Sequence, residues 1–250
     1  MIEDIFEASE PARFPPLYHD EAVTGQTDPF AKACAQAMVG CDAGLLVHNV
    51  SADKLRAAIV FAPEKPVDQA MVALVICAVG FQNAMGALAP PEVAVHLGWN
   101  GAVYVNGGKA GHMRVAASHT GAGVVPDWLV VGLDIDLIPP AQGEAGDDPD
   151  VTCLVMEGCG DVSPIRLLES WSRHILVWVN EVETDGPRAL HEAWRGLVRD
   201  IGKEVSLTLG SDHLSGTFVG LDENFGMLLR NGADTELIPL TRLLEVGDLA

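Results

Sequence analysis

Basic residues are scarce in this chain: 15 Lys and Arg stand against 35 Asp and Glu, a formal net charge of −20 over 250 residues. A surface of that sign repels phosphate backbones and anionic headgroups, so neither nucleic acid nor a membrane surface is an expected partner. Long hydrophobic runs are missing too. The longest, Ala70 to Phe81, falls short of the ~20 residues a membrane span requires. The first residues, Met-Ile-Glu-Asp-Ile-Phe-Glu, have no basic n-region, and no secretory leader is expected. Cysteine is sparse and unpatterned. Cys34, Cys41, Cys77, Cys153 and Cys159 form no C-x-x-C pair, which predicts reduced thiols, a cytoplasmic setting and no metal site. A chain of this length buries about 70–75% of its unfolded surface and needs no such staple.

What is present is a mixed succession of helical and strand periods. Residues 1–27, with Pro11, Pro15 and Pro16, read as an irregular lead-in. Asp28 and Pro29 are helix-start residues, and Phe30, Ala33, Cys34, Ala37 and Met38 recur at helical spacing. Strands are predicted over 44–48 and 55–61, and a long apolar helix from Pro66 to about Leu88. Further strands follow at 93–97 and 103–105. Asn106-Gly107 supplies the two left-handed positions of a tight hairpin, with its return strand at 109–116. The run from Trp128 to Leu137 is almost continuously apolar and predicts a central strand. An acidic loop at 143–150 and helices over 163–182 and 187–200 come next. At Gly202 the period changes to short alternating strands with tight turns, the rhythm of a small barrel. The predicted organisation is therefore an α+β domain over residues 1–201, followed by an all-β module over 202–250.

Two stretches carry a resemblance. Trp99-Asn-Gly-Ala-Val-Tyr-Val-Asn-Gly-Gly-Lys109-Ala-Gly111-His112-Met113-Arg114-Val115 resembles the Trp-Pro-Asn-Asp, hairpin and lysine segment of the bacterial biotin–protein ligases, within the biotin/lipoate ligase group. Gly202 to Arg230 is similar to the SH3-like C-terminal domain of those ligases. Between them, Val130 to Leu137 is similar to the family's central Gly-Ile-Gly-Ile-Asn strand. The order and spacing cover residues 28–246. The implied fold is a class II synthetase-like mixed sheet with helices, plus a C-terminal SH3-like β-barrel.

The family joins a carboxylic acid to ATP, with Mg, as an acyl-adenylate and passes the acyl group to a lysine on a biotinyl or lipoyl carrier protein. Such chemistry needs a fixed cation and backbone donors where two anions meet. By resemblance, Lys109 is that catalytic cation, Gly111 lets the backbone approach the acyl chain, and Trp99 lies near the nucleotide. His112, Met113, Arg114 and His48 are the further ligand-binding candidates. His112 and Arg114 share one face of their strand with Ala110 and Ala116, and Gly111, Met113 and Val115 the other, unless a bulge intervenes. The sequence also departs from the family. Gly101-Ala102 replaces Asn-Asp, and Gly98 replaces the lysine before the tryptophan. His112 replaces a glycine, and Asp136 stands where the family has Asn, either as an exposed strand end or as a polar pocket group. The long Gly-Arg-rich adenylate loop between the first two strands is reduced to Asn49–Arg56, whose basic residues are Lys54 and Arg56.

Two functions follow. One is a divergent biotin- or lipoate-type acyl-adenylate ligase or acyltransferase, acting on a carboxylic acid and a protein lysine. The other is a pseudo-ligase that keeps the small-molecule pocket without catalysis, as a sensor, carrier or interaction module. A third reading makes the C-terminal module the docking site for a carrier domain. A homodimer through the central sheet is compatible with all three.

Overall fold

The computed structural model describes residues 12–139 and 150–245. A seven-stranded sheet forms its centre: β1 (His19–Ala22), β2 (Leu45–Val50), β3 (Lys54–Phe61), β4 (Val95–Leu97), β5 (Ala102–Val105), β6 (Gly108–Ala117) and β7 (Leu129–Asp136). Their order across the sheet is β1-β2-β3-β7-β6-β5-β4, so the apolar β7 is the middle strand, as its composition predicts. Only β1 runs parallel to its neighbour; every other pairing is antiparallel. β1 lies inside the stretch read as irregular. Its sequence, His-Asp-Glu-Ala, has no apolar alternation, and its extended form comes from pairing with β2, His19 opposite Leu45.

Helices cover the two faces unequally. On one face lie α3 (Val72–Leu88), α4 (Pro164–Asp185) and α5 (Arg188–Leu197). The predicted helix from Pro66 to Leu88 is interrupted at Met71, after the short α2 (Val67–Ala70). Taken as one stretch, Val67–Leu88 is long and apolar enough to cross a membrane, but 67% of its apolar window is buried inside the protein. Apolarity all round is what a helix held between a sheet and another helix requires. Trp171 of α4 crosses it, fully buried, and donates its indole N–H to the Cys77 carbonyl at 2.8 Å. On the opposite face lies α1 (Pro29–Met38) alone. Asp28 caps it by accepting from the Phe30 N–H at 3.0 Å, and Pro29 fills the first turn.

Beyond α5 come β8 (Glu204–Leu209), β9 (Asp212–Leu221), β10 (Met227–Asn231) and β11 (Asp234–Ile238), then a single 3₁₀ turn at Leu240–Leu243. They form an antiparallel sheet in the order β11-β10-β9-β8. This is consistent with an SH3-like module, but the expected barrel does not close: among the described residues β8 and β11 pair with one neighbour each. Phe218, Phe225, Met227, Leu229 and Ile238 join the same apolar core as α3 and the large sheet. Burying each such side chain contributes about 1.5–3 kcal/mol.

Candidate functional site: an open polar strip on the central sheet

Ten residues are too few for α1 to cover its whole face of the sheet. Phe30, Ala33, Cys34 and Ala37 pack on Leu45, Val47, Ala58, Val60, Ala116 and Val130. Stepping by two along each strand from those positions gives the rest of the same face. In register across five strands it reads Asn49, Arg56, Asp134, His112 and Ala102. Lys54 and Asp136 form the next row. Directly opposed side chains of this kind stand about 4.5–5.5 Å apart at Cβ. A band of half-buried polar side chains, Arg56, Asp134 and His112, thus crosses the sheet beside the N-terminal end of α1, bounded by the buried Asn49 and Ala102.

Lys109 joins this band through a backbone irregularity. The β5–β6 register moves from Val103↔Gly111 to Tyr104↔Lys109, leaving Ala110 as the extra residue of a bulge. Ala110 is buried in the core on the α3 side with Met113 and Val115. The alternation is thereby reset, and Lys109 falls on the face of His112 and Arg114. Its ammonium end is exposed. Its backbone is held between the Asp150 carbonyl, which accepts from the Lys109 N–H at 2.7 Å, and the Thr152 N–H, which donates to the Lys109 carbonyl at 2.9 Å. The hairpin before it has the expected tight turn, with φ of 49° at Asn106 and 101° at Gly107.

The charges on the strip interact. The Lys54 ammonium lies 2.8 Å from Asp136 Oδ1 and 3.2 Å from Asp134 Oδ1. Partial burial pulls its pKa down, but the hydrogen bonds and charges of Asp136 and Asp134 more than offset this and raise it. His112 is pushed below its ordinary value, first by burial and then by the charges of Lys109, Arg114 and Lys54, against the opposing pull of Asp134. Burial therefore favours its neutral form. Arg56 donates to the Gly25 carbonyl at 3.4 Å, and its buried Nε has no partner among the described residues. Asn49 donates to the carbonyls of Gly25 and Thr27, closing that end of the strip. At the other end the Arg199 guanidinium stacks 4.2 Å from the Tyr104 ring.

Of the residues expected at a site, Lys109 and His112 come together here, and the others take different places. Arg114 shares the face but is engaged. It makes a two-pronged pair with Glu245 at 2.7 Å, donates to Asp28 at 3.0 Å, and lies 4.3 Å over the Phe30 ring. Trp99 is 3% exposed, and its indole N–H donates to the Phe225 carbonyl at 2.9 Å, so it pins the β9–β10 turn. Met113 is 5% exposed and points into the core on the α3 side. His48 also lies on the α3 side with Leu46, against Phe14 and 3.4 Å from Asp20. Gly111 is needed by the sheet itself, because a Cβ there would overlap the Asp134 carbonyl and Ile135. Asp136 is neither a free strand end nor an empty pocket group; it is the Lys54 partner. Asp134 was missed by sequence reasoning, because only the strand register brings it beside Arg56 and His112. The acidic loop at 143–150 lies, except for Asp150, outside the described residues. A separate concavity of about 510 Å³, lined by residues that include Arg188, His191, Arg195 and Asp222, shares no residue with the strip.

The hairpin between β2 and β3 decides what backbone is available beside Lys54. Pairing continues to Val50↔Leu55, leaving Ser51–Asp53 as the connection. The Ser51 N–H donates to the Lys54 carbonyl at 2.9 Å, and its hydroxyl donates to Asp53 at 2.7 Å. The connection is thus three residues long, and one of its N–H groups is tied to Lys54 inside the hairpin.

Comparisons with known proteins agree with this architecture. A biotin protein ligase-like protein of unknown function from Silicibacter sp. TM1040 is 51% identical, with a TM-score of 0.87 over 94% of this chain and 100% of that one. The biotin protein ligase of Aquifex aeolicus in complex with biotin and ATP is 14% identical, with a TM-score of 0.68 over 88% of this chain and 95% of that one. A biotin–[acetyl-CoA-carboxylase] ligase of Paracoccus denitrificans is 24% identical over 173 residues, 69% of this chain and 72% of that protein. Residues 210–246 match a domain of unknown function (DUF4444). Residues 14–196 match the model of the biotin/lipoate A/B protein ligase family, and the chain belongs to that family.

Proposed function

We propose that this chain is a ligase-fold binding protein for a small monocarboxylate, with Lys109 as the anchoring cation, and that it does not adenylate its ligand. The observation that carries this reading is the short Ser51–Asp53 turn, which puts only three residues between β2 and β3 and ties the first N–H among them to Lys54. Lys54, the nearest cation to that turn, is held by Asp134 and Asp136. ATP does not fit such an end of the strip, since its phosphates would meet the carboxylates of Asp134 and Asp136. A monocarboxylate needs less. One ammonium at Lys109 and the imidazole of His112, whose neutral form burial favours, supply a charge and a donor for it. The scattered free thiols fit a reducing, cytoplasmic setting.

The test is calorimetric titration with biotin and with lipoate, alongside an ATP–pyrophosphate exchange assay. The expected result is saturable binding of an acid without exchange. Lys109→Ala should weaken it about 10–100-fold, the loss of one charged hydrogen bond of about 1–3 kcal/mol. Acid-dependent exchange by the wild type would overturn the reading in favour of an active acyl-adenylate ligase or acyltransferase with a carrier lysine as acceptor. That second reading draws on the pairing of an exposed lysine with a half-buried histidine on one strand.

A further inference from the structure

We propose that Asp134 and Asp136 determine which anions the strip accepts: by holding the Lys54 ammonium they mask a phosphate-binding cation and restrict the strip to monoanions. This deepens the reading above and rests on the strip being a ligand site. The geometry is specific. Both carboxylates project from the middle strand β7 onto the open face, two residues apart, and both reach the same Nζ, at 3.2 and 2.8 Å. Lys54 starts β3 directly after the closed turn, where a polyphosphate would need a cation most. With its ends included, the strip then carries four cations, Lys54, Arg56, Lys109 and Arg199, against three carboxylates, Asp53, Asp134 and Asp136, with Arg114 taken by Asp28 and Glu245. One positive charge in excess suits a monocarboxylate. A polyphosphate brings several negative charges, which would face both aspartates at short range.

Substitution of Asp by Asn keeps shape and hydrogen bonding while removing charge, so Asp134→Asn/Asp136→Asn unmasks Lys54 without a void. The probes are inorganic tripolyphosphate and biotin, titrated calorimetrically at constant ionic strength, with circular dichroism as the fold check. The expected result is a gain in tripolyphosphate affinity of about tenfold or more, the effect of one added charge-assisted contact. Adding Lys54→Gln should remove that gain. An equal charge change elsewhere, Asp234→Asn/Glu236→Gln on the exposed β11, should give none. A folded double variant with no gain, a gain that survives Lys54→Gln, or an equal gain from the β11 control would each overturn the proposal. Failure of the ligand reading has a separate signature: biotin and lipoate leave the wild type unbound, while the tripolyphosphate result still reports whether Lys54 is masked.

Discussion

Replacing Trp99 with Phe tests whether this tryptophan is a structural pin. The side chain is 3% exposed, and its N–H satisfies the Phe225 carbonyl at 2.9 Å. Phe225 has φ of 63°, an uncommon conformation for a side chain of its size, held in place by the turn from Asp222 to Gly226. Phenylalanine leaves that buried carbonyl without a donor, which costs about 1–3 kcal/mol. The missing ring adds a cavity worth about 1 kcal/mol, well below the 3–5 kcal/mol of a full aromatic-to-Ala change. A total of roughly 2–4 kcal/mol lowers Tm by roughly 4–16 °C for a protein of this size. The loss should be local. Amide exchange should accelerate in β8–β11 more than in α3 or β7, because the β9–β10 turn is what the indole holds. Trp178→Phe serves as a comparison, since its N–H donates to Asn83 on the helical side at 2.8 Å; it should destabilise without that selectivity. An unchanged Tm, combined with a drop in carboxylate affinity, would refute the reasoning and return Trp99 to a ligand-binding role.

Gly111→Ala should abolish or severely reduce soluble yield, because the added Cβ overlaps the Asp134 carbonyl and must part β6 from β7; a melt within 2 °C or so of wild type, under ~1 kcal/mol by the same size scaling, would contradict the register. His112 has a depressed native pKa, so the unfolded chain binds its proton first. Its neutral form therefore stabilises the fold above pH 6.5, and this contribution falls as the pH drops from there through the native value. Denaturant melts at pH 7.5 and 5.5 should show a smaller acid loss for His112→Gln than for wild type. In a native thiol titration Cys41, the half-exposed cysteine, should react ahead of Cys34, Cys77, Cys153 and Cys159, which are buried; simultaneous reaction of all five would mean global opening. Limited proteolysis should cut near residue 201 before it cuts within 204–238, as expected if the segment from Gly202 is a module of its own, and early cleavage inside β9 would argue against that boundary.

Local chemistry made much of this protein legible from its residues alone. The Asp28–Pro29 start of α1, the Asn106-Gly107 turn and the central position of the apolar β7 each follow from a preference that acts within a few residues. The same holds for the Ser163-Pro164 start of α4 and the change of period near Gly202. Features set by partners distant in sequence were not legible. β1 is extended because β2 pairs with it, and its own polar residues carry no strand signal. The C-terminal sheet stays open because closure depends on whether its first and last strands meet, which alternation cannot specify. The candidate site divides in the same way. Lys109 and His112 stood out in a motif, but whether they share a face depended on one extra residue, Ala110, which a period-two reading cannot register. Arg114 looked like a ligand group until Glu245, 131 residues away, was seen to hold it. Lys54 is 80 residues from Asp134 along the chain, and it meets Asp134 and Asp136 only through the β3–β7 register. Sequence determines which side chains are charged and which face they can reach, but the long-range pairing of strands decides which charges neutralise one another.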